Sequence, residues 1–173
     1  MSSTEIYVVS AVRSAIGGFG GSLKDLPLAD LASAVTRAAI ERSGLAAEQV
    51  GHLVMGTVIP TEPRDAYLAR VAAMNAGIPK ETPAFNVNRL CGSGLQAIVS
   101  AAQGLLLGDT DVAVAAGAES MSRGPYLLPQ ARWGARMGDL QGIDYTVGVL
   151  QDPFQHFHIC LLYTSDAADE EDS

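Results

Sequence analysis

A cysteine lies at the junction between a predicted strand and a predicted helix. Cys91 follows the strand-like run PAFNVN, residues 83–88, and precedes an apolar run over residues 92–107. A thiol at the start of a helix feels the partial positive charge of unpaired N–H groups, which favours the nucleophilic thiolate. Gly92 and Gly94 leave room for a substrate carbonyl, and N–H groups at this point can hold an oxyanion. The pattern indicates a nucleophile for acyl transfer. The other interpretation is a small core hydrophobe, because free cysteine is among the most buried residue types.

The same stretch also permits a different kind of site. Gly92, Gly94 and Ala97 form G-x-G-x-x-A between a strand and a helix, and Glu119 ends the next predicted strand. That is the outline of a dinucleotide-binding site. Such glycines usually follow the first strand of a domain, whereas here they follow the third. Glu119 and Ser120 can equally be residues that form a turn, so the alternatives stay open at this point.

The elements that must position Cys91 alternate along the chain. Short apolar runs predict four strands, over residues 6–12, 50–59, 83–88 and 111–120. Three helices are predicted between them: one from Pro27 to Gly44, one over residues 64–77 and one over residues 92–107. The order βαβαβαβ, with continuous apolar strands, predicts an α/β fold with a mostly parallel central sheet.

The third predicted helix carries no charged residue. Its polar positions over residues 92–107 are only serine and glutamine, among leucine, isoleucine, valine, alanine and glycine. A helix that faces solvent normally carries charges on one side. We therefore expect this helix to be buried on nearly all sides. Residues 121–159 are richer in glycine, proline, arginine and aromatic residues, and are expected to begin a loop-rich excursion from the sheet.

Charge and hydropathy narrow the class of protein. The net charge is −8, but five of the 19 acidic residues lie after residue 160, so the rest of the chain is close to neutral. This balance gives no electrostatic reason to expect nucleic acid or an anionic membrane as a partner. We find no apolar run of 18 residues and no basic region before an apolar N-terminus, so we expect no membrane span and no secretory signal. Two cysteines argue against a disulfide framework and for a reducing, cytoplasmic setting.

Longer segments carry a resemblance to a known family. The segment NVNRLCGSGLQAIVSAAQ resembles the acyl-enzyme motif of the thiolases, the family of acetyl-CoA acetyltransferases and 3-ketoacyl-CoA thiolases. VRSAIGGFGGSLKD is similar to the family's N-terminal loop, and GDTDVAVAAGAESMSRGPYLLP to its fourth strand and the following turn. ARWGARMGD resembles its tetramer-forming loop and DPFQHFH the start of its substrate loop. The resemblance covers residues 5–159, and TEPRDAYLARVAAMNAG is nearest the bacterial biosynthetic β-ketothiolase branch.

The resemblance implies a reaction through an acyl-cysteine. Cys91 would attack a thioester carbonyl and release CoA, and the acyl group would pass to the carbanion of a second acetyl-CoA. The product is a 3-ketoacyl-CoA, and the reverse reaction is thiolytic cleavage. The backbone N–H of Cys91 would serve one oxyanion hole. No metal or redox cofactor is implied, since CoA and acyl-CoA are substrates.

The resemblance also suggests roles outside this motif. His158 matches the substrate-loop histidine, although Ile159 and Cys160 replace the family's methionine and glycine. His156 receives no role, and His52 is interpreted as structural. The tetramer loop of the family corresponds to Arg132, Trp133, Arg136 and Met137, so a homotetramer is expected for the complete protein.

Three segments follow from these comparisons of motifs. Residues 1–120 are expected to form the thiolase N-terminal α/β domain, and residues 121–159 the start of the loop domain with the tetramerisation and substrate loops. Residues 160–173 do not resemble the family, and they resemble one reading frame of a transposase adapter, so we interpret them as a sequencing artefact. Thiolase subunits are about twice as long, and their second half supplies further catalytic groups. We therefore expect this chain alone to be inactive, and its sequence does not set acyl-chain preference or reaction direction.

Overall fold

The computed structural model describes residues 5–160, so all but the first residue of the segment 160–173, which we interpret as an artefact, lie outside the described residues. The chain forms two compact units, the first ending at Arg123 and the second beginning at Gly124. In the first unit the strands are β1 (His52–Gly56), β2 (Ala84–Val87) and β3 (Ala113–Gly117). Its α-helices are α1 (Leu28–Ser43), α2 (Leu68–Asn75) and α3 (Ser93–Leu107).

The three strands form one parallel sheet in the order β2-β1-β3. Alternate residues of β1 point to opposite faces of the sheet. Leu53 and Met55 pack with α1 and α2, whereas Val54 packs with Ala97 and Ala101 of α3. The predicted α/β fold with a parallel sheet is therefore confirmed, with α1 and α2 covering one face of the sheet and α3 covering the other.

Helix ends follow the local sequence signals. Helix α1 begins directly after Pro27, whose fixed φ suits the start of a helix, and ends at Gly44 with φ 73°. Helix α3 ends in the same way at Gly108 with φ 77°. Glycine adopts this left-handed conformation without a steric penalty. The predicted helix over residues 64–77 forms as a 3₁₀ turn, Pro63–Tyr67, followed by α2.

The prediction of a strand over residues 6–12 is wrong. Residues 5–12 form no strand in the structure, and the side chains of Tyr7 and Val8 are 73% and 82% exposed. A cavity of about 760 Å³ lies between residues 6–19, α1, α3 and β3. Strand β3 is at the edge of the described sheet. The apolar, β-branched run lies beside this edge without entering the hydrogen-bond ladder, so its composition alone did not make it a strand.

Burial of α3 is also less complete than its composition predicts. Ala97 and Ala101 face the sheet and are 0% and 5% exposed. The outward side chains of Leu95, Ile98 and Leu106 are 60%, 55% and 54% exposed. The prediction of burial on nearly all sides is therefore wrong for this chain, because within residues 5–160 the sheet covers one face of α3 and no element covers the other.

Within residues 5–160, one stretch is long and apolar enough, by length and composition alone, to cross a membrane. Residues Leu90–Leu107 have a mean hydropathy of 1.4 over 18 residues, although they are not a continuous apolar run. The absence of any charge gives this value, although glycine, serine and glutamine interrupt the run. A helix that packs on a sheet passes the same test of length and composition, and α3 packs on β1 and β3.

The second unit is small and rich in loops. Strand β4 (Tyr126–Leu127) pairs antiparallel with β5 (Ile143–Asp144), and helix α4 (Tyr145–Val149) follows directly. The Asp144 carboxylate caps α4 by accepting a hydrogen bond from the Val147 N–H at 3.1 Å. A 3₁₀ turn, Ala131–Trp133, lies between the two strands.

Candidate active site

Cys91 lies beyond the carboxyl end of β2, immediately before the N-terminus of α3. Its side chain is exposed and carries a free thiol, so the interpretation as a core cysteine is wrong. Helix α3 begins at Ser93 with Gly92 as its N-cap. Cys91 therefore precedes the first helical turn and does not lie within it. The helix begins one residue later than the predicted start at residue 92.

The turn that carries Cys91 has an unusual backbone. Leu90 adopts φ 46°, a left-handed conformation that is rare for a branched residue. Asn88 Oδ1 accepts a hydrogen bond from the Leu90 N–H at 2.9 Å, and Ser93 Oγ donates to the Leu90 carbonyl at 2.6 Å. Ser93 Oγ also accepts from the Arg89 N–H at 2.8 Å, and Ser93 is 4% exposed. Polar side chains thus hold both peptide groups of Leu90.

The glycine at the end of β1 lets α3 approach the sheet. A Cβ on Gly56, the last residue of β1, would lie 2.6 Å from the backbone carbon and oxygen of Ser93. A Cβ on Gly117, the last residue of β3, would lie 3.7 Å from the Cα of Gly94. A Cβ on Gly94 itself would meet nothing within 4 Å. The space next to Gly94 is therefore open, which suits the approach of a substrate near Cys91.

A guanidinium group lies against the same turn. Arg89 Nη1 donates a hydrogen bond to Gln96 Oε1 at 2.8 Å, which holds the side chain across the start of α3. A Cβ on Gly92 would lie 2.8 Å from Arg89 Nε, so the guanidinium packs closely against this glycine. Sequence reasoning missed Arg89, although it is the sole cation in the segment from residue 84 to residue 109.

Glu119 joins the ends of two strands. Its carboxylate accepts hydrogen bonds from the N–H groups of Val58 at 2.8 Å and Ile59 at 3.1 Å. Burial raises the pKa of Glu119 above its ordinary value, the two backbone hydrogen bonds lower it, and the negative charge of Asp65 raises it further. The prediction of a turn-forming role is thus incomplete, because Glu119 ties the segment after β1 to the end of β3.

This arrangement argues against the dinucleotide alternative. In that kind of site, the acidic residue after the next strand binds ribose hydroxyls. Both oxygens of the Glu119 carboxylate are instead engaged by Val58 and Ile59. The glycine that permits the close approach of helix and strand is Gly56, on β1, and not a glycine of the G-x-G-x-x-A run.

The remaining predicted site residues belong to the second unit. His158 is half-buried, its Nδ1 accepts a hydrogen bond from the Cys160 N–H at 3.3 Å, and it pairs with Gln151 in an isolated antiparallel bridge. The four residues of the predicted tetramer loop are all exposed, with Trp133 at 82% and Met137 at 98%; the other two are Arg132 and Arg136. Such a loop presents a large apolar surface next to two cations.

His52, in the first unit, does not lie at the end of the sheet that carries Cys91. It begins β1, whereas Gly56 at the other end of this strand contacts the start of α3. Its ring packs edge-on against Phe85 at 5.4 Å between centroids, and its Nε2 is buried without a hydrogen-bond partner. These contacts agree with the structural interpretation of His52.

Comparison with known proteins identifies the family. The family model described as "Thiolase, N-terminal domain" matches residues 6–171. The chain belongs to the thiolase family. The match runs through residue 171, beyond residue 159 where the recognised motifs stop.

Curated relatives give the same assignment. The chain is 62% identical over 155 residues to the beta-ketothiolase BktB of Cupriavidus necator, covering 90% of this chain and 39% of that protein. It is 43% identical over 157 residues to an acetyl-CoA acetyltransferase of the same organism, covering 90% of this chain and 40% of the relative. Thiolases with these names are acyltransferases. The chain spans about 40% of the length of the curated relatives it matches.

Solved thiolase structures share the fold. The crystal structure of human mitochondrial 3-ketoacyl-CoA thiolase matches with a TM-score of 0.91 and 35% identity, over 95% of this chain and 42% of that one. The Bacillus anthracis acetyl-CoA acetyltransferase matches with a TM-score of 0.82 and 40% identity, over 88% of this chain and 38% of that one. A structure of the human enzyme in complex with CoA is similar to the same degree, with a TM-score of 0.91.

Proposed function

We propose that Cys91 is the acyl-accepting nucleophile of an acetyl-CoA C-acyltransferase that forms or cleaves 3-ketoacyl-CoA. The observation that carries this proposal is an exposed thiol on a constrained turn, next to the open space at Gly94. Family membership supports the reaction class, and the names of the relatives support acetyl-CoA as one substrate.

The proposed chemistry has two stages. The Cys91 thiolate attacks the thioester carbonyl, a new S–C bond forms, and the C–S bond to CoA breaks to leave acyl-cysteine and CoA. The carbanion of a second acetyl-CoA then attacks the acyl carbon, and the Cys91 thiolate leaves as the 3-ketoacyl-CoA is completed. The backbone N–H of Cys91, just before α3, would stabilise the negative oxygen that forms at each attack.

A base and an acid are also required, because an α-proton must leave acetyl-CoA and the departing CoA thiolate must gain a proton. Cys91 cannot act as nucleophile and base in the same step. His158 is proposed to contact substrate, on the basis of its match to the substrate loop. We propose that these proton transfers depend on residues outside the present chain.

Assembly and location extend the same proposal. Arg132, Trp133, Arg136 and Met137 lie on an exposed loop that resembles the family's tetramer loop, so the complete protein is proposed to be a cytoplasmic homotetramer. CoA and acyl-CoA are its proposed partners. No metal or redox cofactor, nucleic acid or membrane has a part in the proposal.

Acylation of Cys91 tests this function directly. The folded chain is incubated with acetyl-CoA, digested at acidic pH and analysed by peptide mass spectrometry, with Cys91→Ser as the control. We expect an S-acetyl group on the Cys91 peptide and slower labelling of Cys91 by iodoacetamide while acetyl-CoA is present. Protection by NAD(H) and not by acetyl-CoA would instead favour a dinucleotide site. Full labelling with neither protection nor an acetyl adduct would favour a non-catalytic subunit of thiolase fold.

A further inference from the structure

A chain of hydrogen bonds connects the ends of all three parallel strands to the nucleophile. After β3, the Glu119 carboxylate accepts from the Val58 N–H at 2.8 Å. After β1, the Val58 carbonyl accepts from Asn88 Nδ2 at 3.3 Å. After β2, Asn88 Oδ1 accepts from the Leu90 N–H at 2.9 Å. Leu90 is the residue immediately before Cys91, so one side chain, Asn88, bridges the sheet and the nucleophile turn.

Leu90 is the point in this turn that requires support. At φ 46° a leucine side chain is strained, since its Cβ crowds the backbone in the left-handed region. The Leu90 side chain is 58% exposed, so packing does little to hold it. Ser93 holds the carbonyl side of Leu90, and Asn88 holds the N–H side. Without Asn88, Leu90 could relax toward negative φ, and the direction of the Cys91 side chain would change.

We propose that Asn88 is a positioning residue for Cys91, acting through the backbone of Leu90. The inference rests on the proposed function, because the atom that it positions is the proposed nucleophile. Its amide is suited to this role, since the oxygen accepts from Leu90 while the nitrogen donates to Val58. An aspartate would keep the acceptor and lose the donor, and an alanine would lose both.

The test compares two reactions of Cys91 in the full 173-residue chain. Acetyl-CoA is large and must approach with a fixed geometry, whereas iodoacetamide is small and reacts from many directions. We expect Asn88→Ala to slow acetylation of Cys91 by at least about tenfold, as small misplacements of reacting groups do. Alkylation by iodoacetamide is expected to stay within about threefold of wild type. Asn88→Asp is expected to fall between wild type and Asn88→Ala in acetylation.

Asn75→Ala provides the matched control. Asn75 is an asparagine of the first unit whose side chain also donates a hydrogen bond, from Nδ2 to Ser33 Oγ at 3.0 Å, but it lies at the end of α2. It is expected to leave both reactions of Cys91 unchanged. Unaltered acetylation in Asn88→Ala would overturn the proposal. An equal loss of both reactions, with a matching loss of stability, would also overturn it, because the role would then be only structural.

A second measurement does not depend on catalysis. Amide hydrogen exchange in Asn88→Ala is expected to speed up at residues 90–93 and to stay unchanged in α1 and α2. Leu90→Gly in the Asn88→Ala background should restore part of the lost acetylation, because glycine adopts φ 46° without strain. If wild type is alkylated but never acetylated, the proposed function fails, and the exchange comparison still decides the role of Asn88. Unchanged exchange at residues 90–93 would refute that role.

Discussion

Gly56 and Ser93 meet through their backbones, so that a Cβ on Gly56 would lie 2.6 Å from the carbonyl carbon and oxygen of Ser93. Gly56 is buried at the end of the central strand, and Ser93 is the first residue of α3. A methyl group there has no flexible side chain to displace. The start of α3, and with it the turn that carries Cys91, depends on this glycine.

Gly56→Ala is therefore expected to destabilise the chain and to displace the nucleophile turn. Overpacking of this kind costs about 1–3 kcal/mol in free energy of unfolding. Urea unfolding measures the loss of stability, and the acetylation rate of Cys91 measures the displacement. We expect both to decrease, since α3 can relieve the contact only by moving away from β1.

Gly94→Ala serves as the matched control, because its Cβ would meet nothing within 4 Å. In a helix, alanine replaces glycine with a gain of roughly 0.5–1 kcal/mol. The variant should be as stable as wild type or slightly more so. Its acetylation should still slow if the open space at Gly94 admits substrate. Equal stability of the two alanine variants would contradict the packing argument for Gly56.

Glu119→Gln is expected to change how stability depends on pH. The pKa of Glu119 is raised above its ordinary 4.5, chiefly by burial. At a pH between 4.5 and the raised pKa, the folded chain retains a proton that the unfolded chain has released. The free energy of unfolding therefore falls as pH rises through this window, and the loss is complete above the raised pKa. Glutamine does not titrate, so the free energy of unfolding of the variant lacks this dependence on pH.

Urea unfolding at a series of acidic pH values measures the effect. The stability of wild type minus that of Glu119→Gln should decrease as pH rises from about 4.5. Glu48→Gln, which removes an exposed carboxyl, corrects for the change in net charge. A difference that increases with pH would mean that the hydrogen bonds from Val58 and Ile59 outweigh burial.

The exposed side of α3 is expected to cause self-association. Leu95 and Leu106 lie three turns apart on this side and are 60% and 54% exposed. Exposed apolar patches of this kind promote association. Replacing both by glutamine should lower the sedimentation coefficient toward that of a monomer while the urea midpoint stays the same. By contrast, Ala101→Gln alters the buried face and should lower the midpoint. If the double variant still self-associates, the surface responsible for association is not the exposed side of α3.

The position of Cys91 could be predicted from sequence because its signals are local. An apolar strand, a cysteine, two glycines and a long apolar helix follow each other without interruption, and the thiolase motif spans the same residues. The helix ends at Gly44 and Gly108 were readable for the same reason, since left-handed glycines end helices wherever they occur.

Other features depend on contacts between distant segments. Asn88, Val58 and Glu119 come together only because three parallel strands end at one edge of the sheet. Gly56 is important because α3 packs against it, and no local sequence pattern predicts this contact. The run over residues 6–12 is wrongly predicted as a strand from its local composition. Its residues have the composition of a strand but pair with no strand of the sheet.

The chain by itself is expected to form acyl-cysteine without completing either condensation or thiolysis. Both reactions need a base and an acid besides the nucleophile. In the first unit, the histidine available is His52, which lies at the far end of β1 from Gly56 and packs against Phe85. His158 is proposed to contact substrate, because its segment resembles the family's substrate loop. No residue of this chain is thus proposed as the base.

Acetoacetyl-CoA provides the measurement, since its enolate absorbance disappears on thiolysis and appears on condensation. We expect no sustained change with acetoacetyl-CoA plus CoA, or with acetyl-CoA alone, although mass spectrometry finds acetylated Cys91. Cys91→Ser gives the background for both assays. Continuous turnover that is lost in Cys91→Ser would show that this chain contains its own base. His158→Asn would then be the first variant to examine, because His158 is the histidine that we propose to contact substrate.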